Sequence, residues 1–225
     1  QLRRSVFPYA IRVRKSDDTE QDIGFNSNGE LDTNALLDFA DGGDAWVATW
    51  YDQSSNGNDA VQGTDDYQPQ IVSSGSLITE NGKPAVQFDG ASSFLESGTL
   101  TTATQPISII TTSTSFDNTV SGGIISTNDA NDIIDFYRND GGFAINAATT
   151  LTSAPGVTYA NNTQYLRFSL FDGGSSEIFV NGTSVVSGYA NTLGLNGTLW
   201  IGRFGVAGTV LDGLKQRIYI LQSNT

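Results

Sequence analysis

Short alternating runs of β-branched and aromatic residues, each closed by Gly, Asn or Asp, recur along this chain and leave room for little but strands and tight turns. Trp46-Val47-Ala48-Thr49-Trp50-Tyr51 shows the pattern, and the run from Asp52 to Asp59 that follows is dense in turn-formers and side-chain oxygens. A strand ending in such a loop presents polar groups from a rigid base. Further strands are predicted over Ser5 to Lys15 (with Pro8 marking an edge or bend), Gln68 to Val72, Pro84 to Gly90, Pro106 to Thr112, Asp132 to Arg138 and Gln164 to Phe171. Asn81-Gly82, Asn139-Asp140-Gly141-Gly142 and Asn181-Gly182 predict hairpins. One helix is expected, Leu31 to Ala40, capped by Asp32 or Thr33 and stopped by Gly42.

Composition narrows the chemistry. The 225 residues contain neither Cys nor His, which removes disulfides, thiolate and imidazole metal sites, and every histidine-based acid or base. Any catalysis would run on carboxylates, Tyr, Lys or Arg. The net charge is −13, and five of the eleven basic residues (Arg3, Arg4, Arg12, Arg14, Lys15) stand in the first fifteen positions. The other 210 residues carry 6 basic against 24 acidic side chains, a net of −18, which repels a phosphate backbone and argues against a nucleic-acid partner. The basic opening reads as a strand whose arginines pair with the acidic body. No apolar run approaches the ~20 residues of a membrane helix, so membrane insertion is not expected. The start at Gln1 and the absence of Met suggest a piece of a longer polypeptide.

Strand alternation assigns faces. Ile134 and Phe136 share one side of their strand, Asp135 and Tyr137 the other; Leu166, Phe168 and Leu170 oppose Tyr165, Arg167 and Ser169. Neutral sugars are held by aromatic faces and planar polar groups. Asp135, Tyr137, Tyr165 and Arg167 on the open side of a concave sheet, with Asp52, Asn56 and Asn58 at its rim, therefore form a candidate carbohydrate site. The plainer alternative is ordinary solvent-facing strand residues. Trp46, Trp50 and Trp200 lie in apolar runs and read as core. Asp52, Asn56, Asn58 and Asp59, or Asp65 and Asp66, offer oxygen ligands without the EF-hand spacing, which makes Asp52 and Asp59 candidate calcium ligands. Asn161, Asn181 and Asn196 stand in Asn-x-Thr acceptor sequences.

Several segments carry a resemblance. Tyr51-Asp52-Gln53-Ser54-Ser55-Asn56-Gly57-Asn58, and Ala10 to Asp18 with Gln21 to Phe25, resemble the catalytic domain of arabinofuranosidase B-type glycoside hydrolases, with Ser55 where that pattern has Gly. Pro84 to Gly90 with Ser92 to Glu96, the Glu177 to Val186 hairpin, and the closing runs Leu199 to Gly202 and Gly213 to Ile220 are similar to concanavalin A-like and laminin G-like sandwiches. The resemblance spans nearly the whole chain and implies an all-β fold, a two-sheet antiparallel jelly-roll sandwich with one short helix, forming a single domain over residues 1–225.

It implies an activity less well. Glycoside hydrolysis needs two opposed carboxylates. The family's nucleophilic Glu would fall within Asp135 to Asn139, near Tyr137, where no Glu occurs. Its acid Asp would follow Ile201-Gly202, where Arg203-Phe204-Gly205 stands and no carboxylate comes before Asp212. The family's vicinal Cys pair is absent, and the five Glu are not spaced for acid/base work. The expectation is a non-catalytic carbohydrate-binding domain of an extracellular adhesin or a phage virion appendage, its partner a glycan on a cell surface and its neighbours other virion or adhesin subunits. The alternatives are an arabinofuranosidase-type hydrolase and a purely structural decoration or spacer.

Overall fold

The computed structural model describes residues 7–54, 56–117, 119, 121–127, 133–153, 157–192, 194–204 and 209–222. The architecture is all-β and antiparallel, a sandwich with one α-helix among the described residues. Its spine is Ile107–Ser115, which pairs along its whole length with Thr163–Phe171 on one side and with Asp212–Gln222 on the other. Ser176–Val180 and Thr183–Gly188 extend this layer beyond Thr163–Phe171. On the opposite flank it runs through Val86–Asp89, Gln70–Ser73, Ala45–Trp50 and Tyr9–Lys15 to Glu20–Gly24.

The second layer contains Phe143–Ala147, Ile133–Tyr137, Gly122–Thr127, Leu195–Ile201 and Leu95–Ala103. Ala60–Val61 pairs with both Ala45–Trp50 and Leu95–Ala103, so the two layers are one hydrogen-bonded network folded over on itself. Between them lie Val13, Val47, Val72, Phe88, Leu95, Ile107, Ile109, Ile124, Ile145, Phe171 and Ile178, all buried.

Local chemistry explains the corners. At Asn81-Gly82 and Asn181-Gly182 both central residues have positive φ (49° and 72°; 50° and 82°), the geometry whose twist matches a two-residue hairpin. The helix runs over Thr33–Ala40; the Asp32 carboxylate accepts from the Ala35 N–H at 3.1 Å, and Asp41 turns left-handed at its end. The opening strand runs over Tyr9–Lys15, while Arg3 and Arg4 lie outside the described residues. Its arginines do pair with the acidic body: Arg12 with Asp22 at 2.8 Å, Arg14 with Asp18 and Asp65 at 3.2 Å.

Gly213, opposite Ser115, is the tightest point of the spine. A Cβ there would lie 1.9 Å from the Thr114 carbonyl oxygen, which is backbone and has nowhere to go. Gly213→Ala is expected to cost about 2 kcal/mol or more in chemical denaturation, with Gly98→Ala, whose Cβ meets nothing, as the benign control.

Candidate functional site

Asp135, Tyr137 and Arg167 are brought together as expected, but between the sheets and with no exposed surface at all. An Arg167 Nη2–H donates to Asp135 Oδ1 and, at 3.3 Å, to the Ala144 carbonyl; Nη1 donates to the Phe136 carbonyl at 3.1 Å. Ser169 Oγ donates to the second Asp135 oxygen at 3.1 Å. The guanidinium lies 5.4 Å from the Tyr137 ring and 5.1 Å from that of Phe143. Tyr137 donates to the Ser113 carbonyl at 3.1 Å, and Lys215 Nζ donates to the Ile124 carbonyl.

Burial penalises every charge here. It pushes the Asp135 carboxyl up, against the pull of Arg167 and Lys215, raises the Tyr137 phenol, and drives the Lys215 ammonium well below its ordinary range. Reading these residues on an open sugar face is therefore corrected: they are an interior polar cluster. Alternation correctly grouped Asp135 with Tyr137 and Arg167 with Ser169, but the side they share is the inner one, and Leu166, Phe168 and Leu170 face outward.

The other expected residues are scattered. Tyr165 is half-buried, edge-on to Phe143 at 5.5 Å, and its hydroxyl accepts from the Ala160 N–H at 2.8 Å. In the Asp52 loop, one carboxylate oxygen accepts from the Ser54 N–H at 2.8 Å and the other from Ser54 Oγ at 2.7 Å and the Asn58 N–H at 3.0 Å. Asp59 accepts from the Asp52 N–H at 2.8 Å. Burial raises the Asp52 carboxyl, but these hydrogen bonds outweigh it and hold it below the usual range. The two carboxylates knit their own loop, and this donor set does not fit calcium; among the described residues no group of three or more carboxylates is arranged for a metal. Asn56 and Asn58 stay exposed.

A cleft of about 450 Å3 opens elsewhere, where the opening strand meets the Asp65–Tyr67 turn and the Asp89 turn. Trp46 forms part of its wall, half-buried, with the Arg14 guanidinium 5.0 Å over the ring. Arg14 and Trp46 are cross-strand partners, so the stack is a direct product of register. Arg14 Nε donates to Gln68 Oε1 at 2.8 Å and faces Asp65 at 3.2 Å. Gln70, Gln87, Asp89 and Ser93 continue the lining, with Ser16, Asp66 and Pro69.

Asp89 is locked in place. Its carboxylate accepts the backbone N–H groups of Ala91, Ser92 and Ser93 at 2.9 Å, and both serine hydroxyls. Burial raises its pKa, but those hydrogen bonds outweigh it and hold the carboxyl far below the usual range. Its cross-strand partner Asp212 is pushed the other way, by burial and by the charges of Asp117 and Asp89. Beside the cleft runs a ridge of rings: Tyr67 to Phe94 at 6.0 Å and Phe94 to Trp200 at 6.4 Å, with the Arg203 guanidinium 4.6 and 4.7 Å from the last two. Trp46 and Trp200 thus stand at the surface, not in the core, because they alternate with inward Ala45 and Val47 or Leu199 and Ile201.

Comparison with known proteins follows this geometry. No protein-family profile matches the chain, and no curated protein sequence does. Its fold is similar to that of an arabinofuranosidase solved with arabinofuranosyl-α-1,2-xylobiose (TM-score 0.74, 17% identity) and of a GH54 α-L-arabinofuranosidase mutant soaked with 4-nitrophenyl α-L-arabinofuranoside (TM-score 0.76, 15% identity). Each likeness covers 99% of this chain and 57% of the arabinofuranosidase, so the chain spans little more than half the length of those proteins. A Trypanosoma rangeli sialidase is similar over 79% of this chain and 29% of its own (TM-score 0.51, 12% identity). At these identities the likeness establishes the fold.

The interior cluster yields a stability prediction. A lysine whose folded pKa lies below its unfolded value of about 10.4 destabilises the fold below that pH, and the deficit shrinks as pH rises toward it. Lys215→Met is expected to raise stability at pH 7 by about 1 kcal/mol or more. The gap to wild type should narrow between pH 7 and 10 in urea titrations; a gap that widens there contradicts the assignment.

Proposed function

We propose that this chain is a non-catalytic carbohydrate-recognition domain of concanavalin A-like fold, part of a longer extracellular surface protein or virion appendage, and that it holds a saccharide in the cleft beside Trp46. One observation carries the reading: a half-buried tryptophan bordered by side-chain amides and ion-paired groups (Arg14, Asp65, Gln68, Gln70, Gln87) in a cleft of about 450 Å3. The indole face suits the C–H surface of a sugar ring, and planar polar groups suit its hydroxyls. A glycan on a cell surface is the partner this chemistry fits. Asn56 and Asn58 are exposed on the loop beyond Trp50 and do not line this cleft.

The carboxylates favour binding over cleavage. Hydrolysis needs one carboxyl held protonated and a second opposing it. In the cleft Asp65 faces Arg14, and Asp89 is tied down by its own turn. Where the resemblance would put a nucleophile, the strand offers Asp135 and Tyr137, both sealed inside. A second reading rests on Asp212, the cross-strand partner of Asp89, whose carboxyl is pushed up by burial and by the charges of Asp117 and Asp89, as a general acid's would be.

A glycan array followed by calorimetric titration decides between them. Trp46→Ala is expected to weaken binding at least tenfold, on the order of the 1.4 kcal/mol that corresponds to a factor of ten. Tyr165→Ala should leave binding unchanged. Gln87→Ala, a smaller change in the same wall, guards against misfolding of the tryptophan variant. Binding indifferent to Trp46 and Gln87 sinks the cleft assignment, and sugar release abolished by Asp212→Asn replaces the binder with a hydrolase.

A further inference from the structure

Thr163–Phe171 turns Arg167, Ser169 and Phe171 inward and leaves Leu166, Phe168 and Leu170 on the outer face. Outside the sandwich, register lines up Tyr219, Ile110, Phe168 and Phe179 in one row across four adjacent strands, with the two phenylalanine rings 5.6 Å apart. Leu166 flanks this row on one side, Leu170 and Leu221 on the other. Tyr219 and Leu166 are each 48% exposed and Leu221 53%. With strands about 4.8 Å apart and same-face residues about 6.8 Å apart, the face covers roughly 400 Å2, a little over half of it apolar and the rest Arg217, Thr112, Ser108 and Glu177 at its edges.

The charges on this face say what covers it. Arg217 stands at one corner, exposed, in the field of Glu30 but in no salt bridge among the described residues; Glu177, which accepts from Ser184 Oγ, stands at the diagonally opposite corner. In a face-to-face pair related by a two-fold axis, residue i meets j and j meets i. An axis along the diagonal that separates these corners sets Arg217 of each copy on Glu177 of the other. The same operation carries Phe179 onto the gap between Thr112 and Leu166, and Tyr219 onto the gap between Ser108 and Leu170. The aromatic side chains thus fall between side chains of the facing sheet, Leu221 meets its own copy near the axis, and the two sheets cross near 90°, one of the packing angles sheets adopt.

We infer that this outer face is a self-complementary dimer interface, closed by reciprocal Arg217–Glu177 pairs around an apolar centre. The inference is independent of the saccharide site. About 800 Å2 buried in total is below the roughly 1,200 Å2 of stable complexes, and each copy carries a net charge of −13, so association is weak and transient and tightens as added salt screens the repulsion.

Sedimentation equilibrium from micromolar to millimolar protein tests it. The expected result is a monomer–dimer equilibrium that Phe168→Ser weakens at least tenfold. Arg217→Glu and Glu177→Arg should each weaken it about fivefold, as for a partly exposed ion pair, and the double swap should restore it. Thermal melting controls for folding, and Tyr219→Ser serves as the second apolar variant should Phe168→Ser unfold. A monomer throughout the range overturns the inference, as does a charge swap that fails to restore association. A monomer that adsorbs to insoluble polysaccharide through Phe168 and Tyr219 overturns it too, and makes the face a glycan platform instead.

Discussion

A strand can bury only every second side chain, and in Thr163–Phe171 the inward places go to Arg167, Ser169 and Phe171. Much else follows from that allotment. A guanidinium sealed from water must be neutralised, so Asp135 in the opposite layer is drawn to it, with the Phe136 and Ala144 carbonyls taking further N–H groups while the Nε–H is left without a partner among the described residues. The contact fixes how Ile133–Tyr137 lies over Thr163–Phe171. Removing either partner would strand the other, a loss on the order of 3–5 kcal/mol. Because inner and outer positions alternate strictly, burying Arg167 also obliges Leu166, Phe168 and Leu170 to face out.

Electrostatics organises the opposite end of the first layer by different means. Arg12 and Arg14 are cations on an otherwise acidic body, and they hold the opening strand to it at Asp22, Asp18 and Asp65. Arg12 is partly in water and its pair is a modest contribution. Arg14 is buried and stacked on Trp46, so the ion pair that anchors the strand also shapes a wall of the cleft.

The fold was largely legible from the sequence because its cues are local. Asn81-Gly82 and Asn181-Gly182 turn where Asn-Gly should, Asp32 caps the helix, and the alternating runs become strands. What the sequence did not disclose is which face of a strand lies inside. Period-two patterning separates Arg167 from Phe168 without ranking them, and the usual rule that apolar means inner fails where a polar cluster in the facing layer supplies the partner. The cleft was hidden for a related reason: Arg14, Trp46, Gln68 and Asp89 come from separate segments and meet through long-range pairing. One clue was available, since Arg14 and Trp46 occupy opposed positions in two strands that both read clearly.

The spine carries a consequence for how the chain comes to be folded. Asp212–Gln222 lies between Ile107–Ser115 and Val86–Asp89, inside the first layer, and is made long after both of the strands it joins. Contacts that span more than a hundred residues must close before the layer is continuous, which places this protein among slow folders with many non-local pairings. Until ribosomal synthesis reaches that strand, Ile107–Ser115 has an open edge and the growing polypeptide is exposed to mispairing with its neighbours.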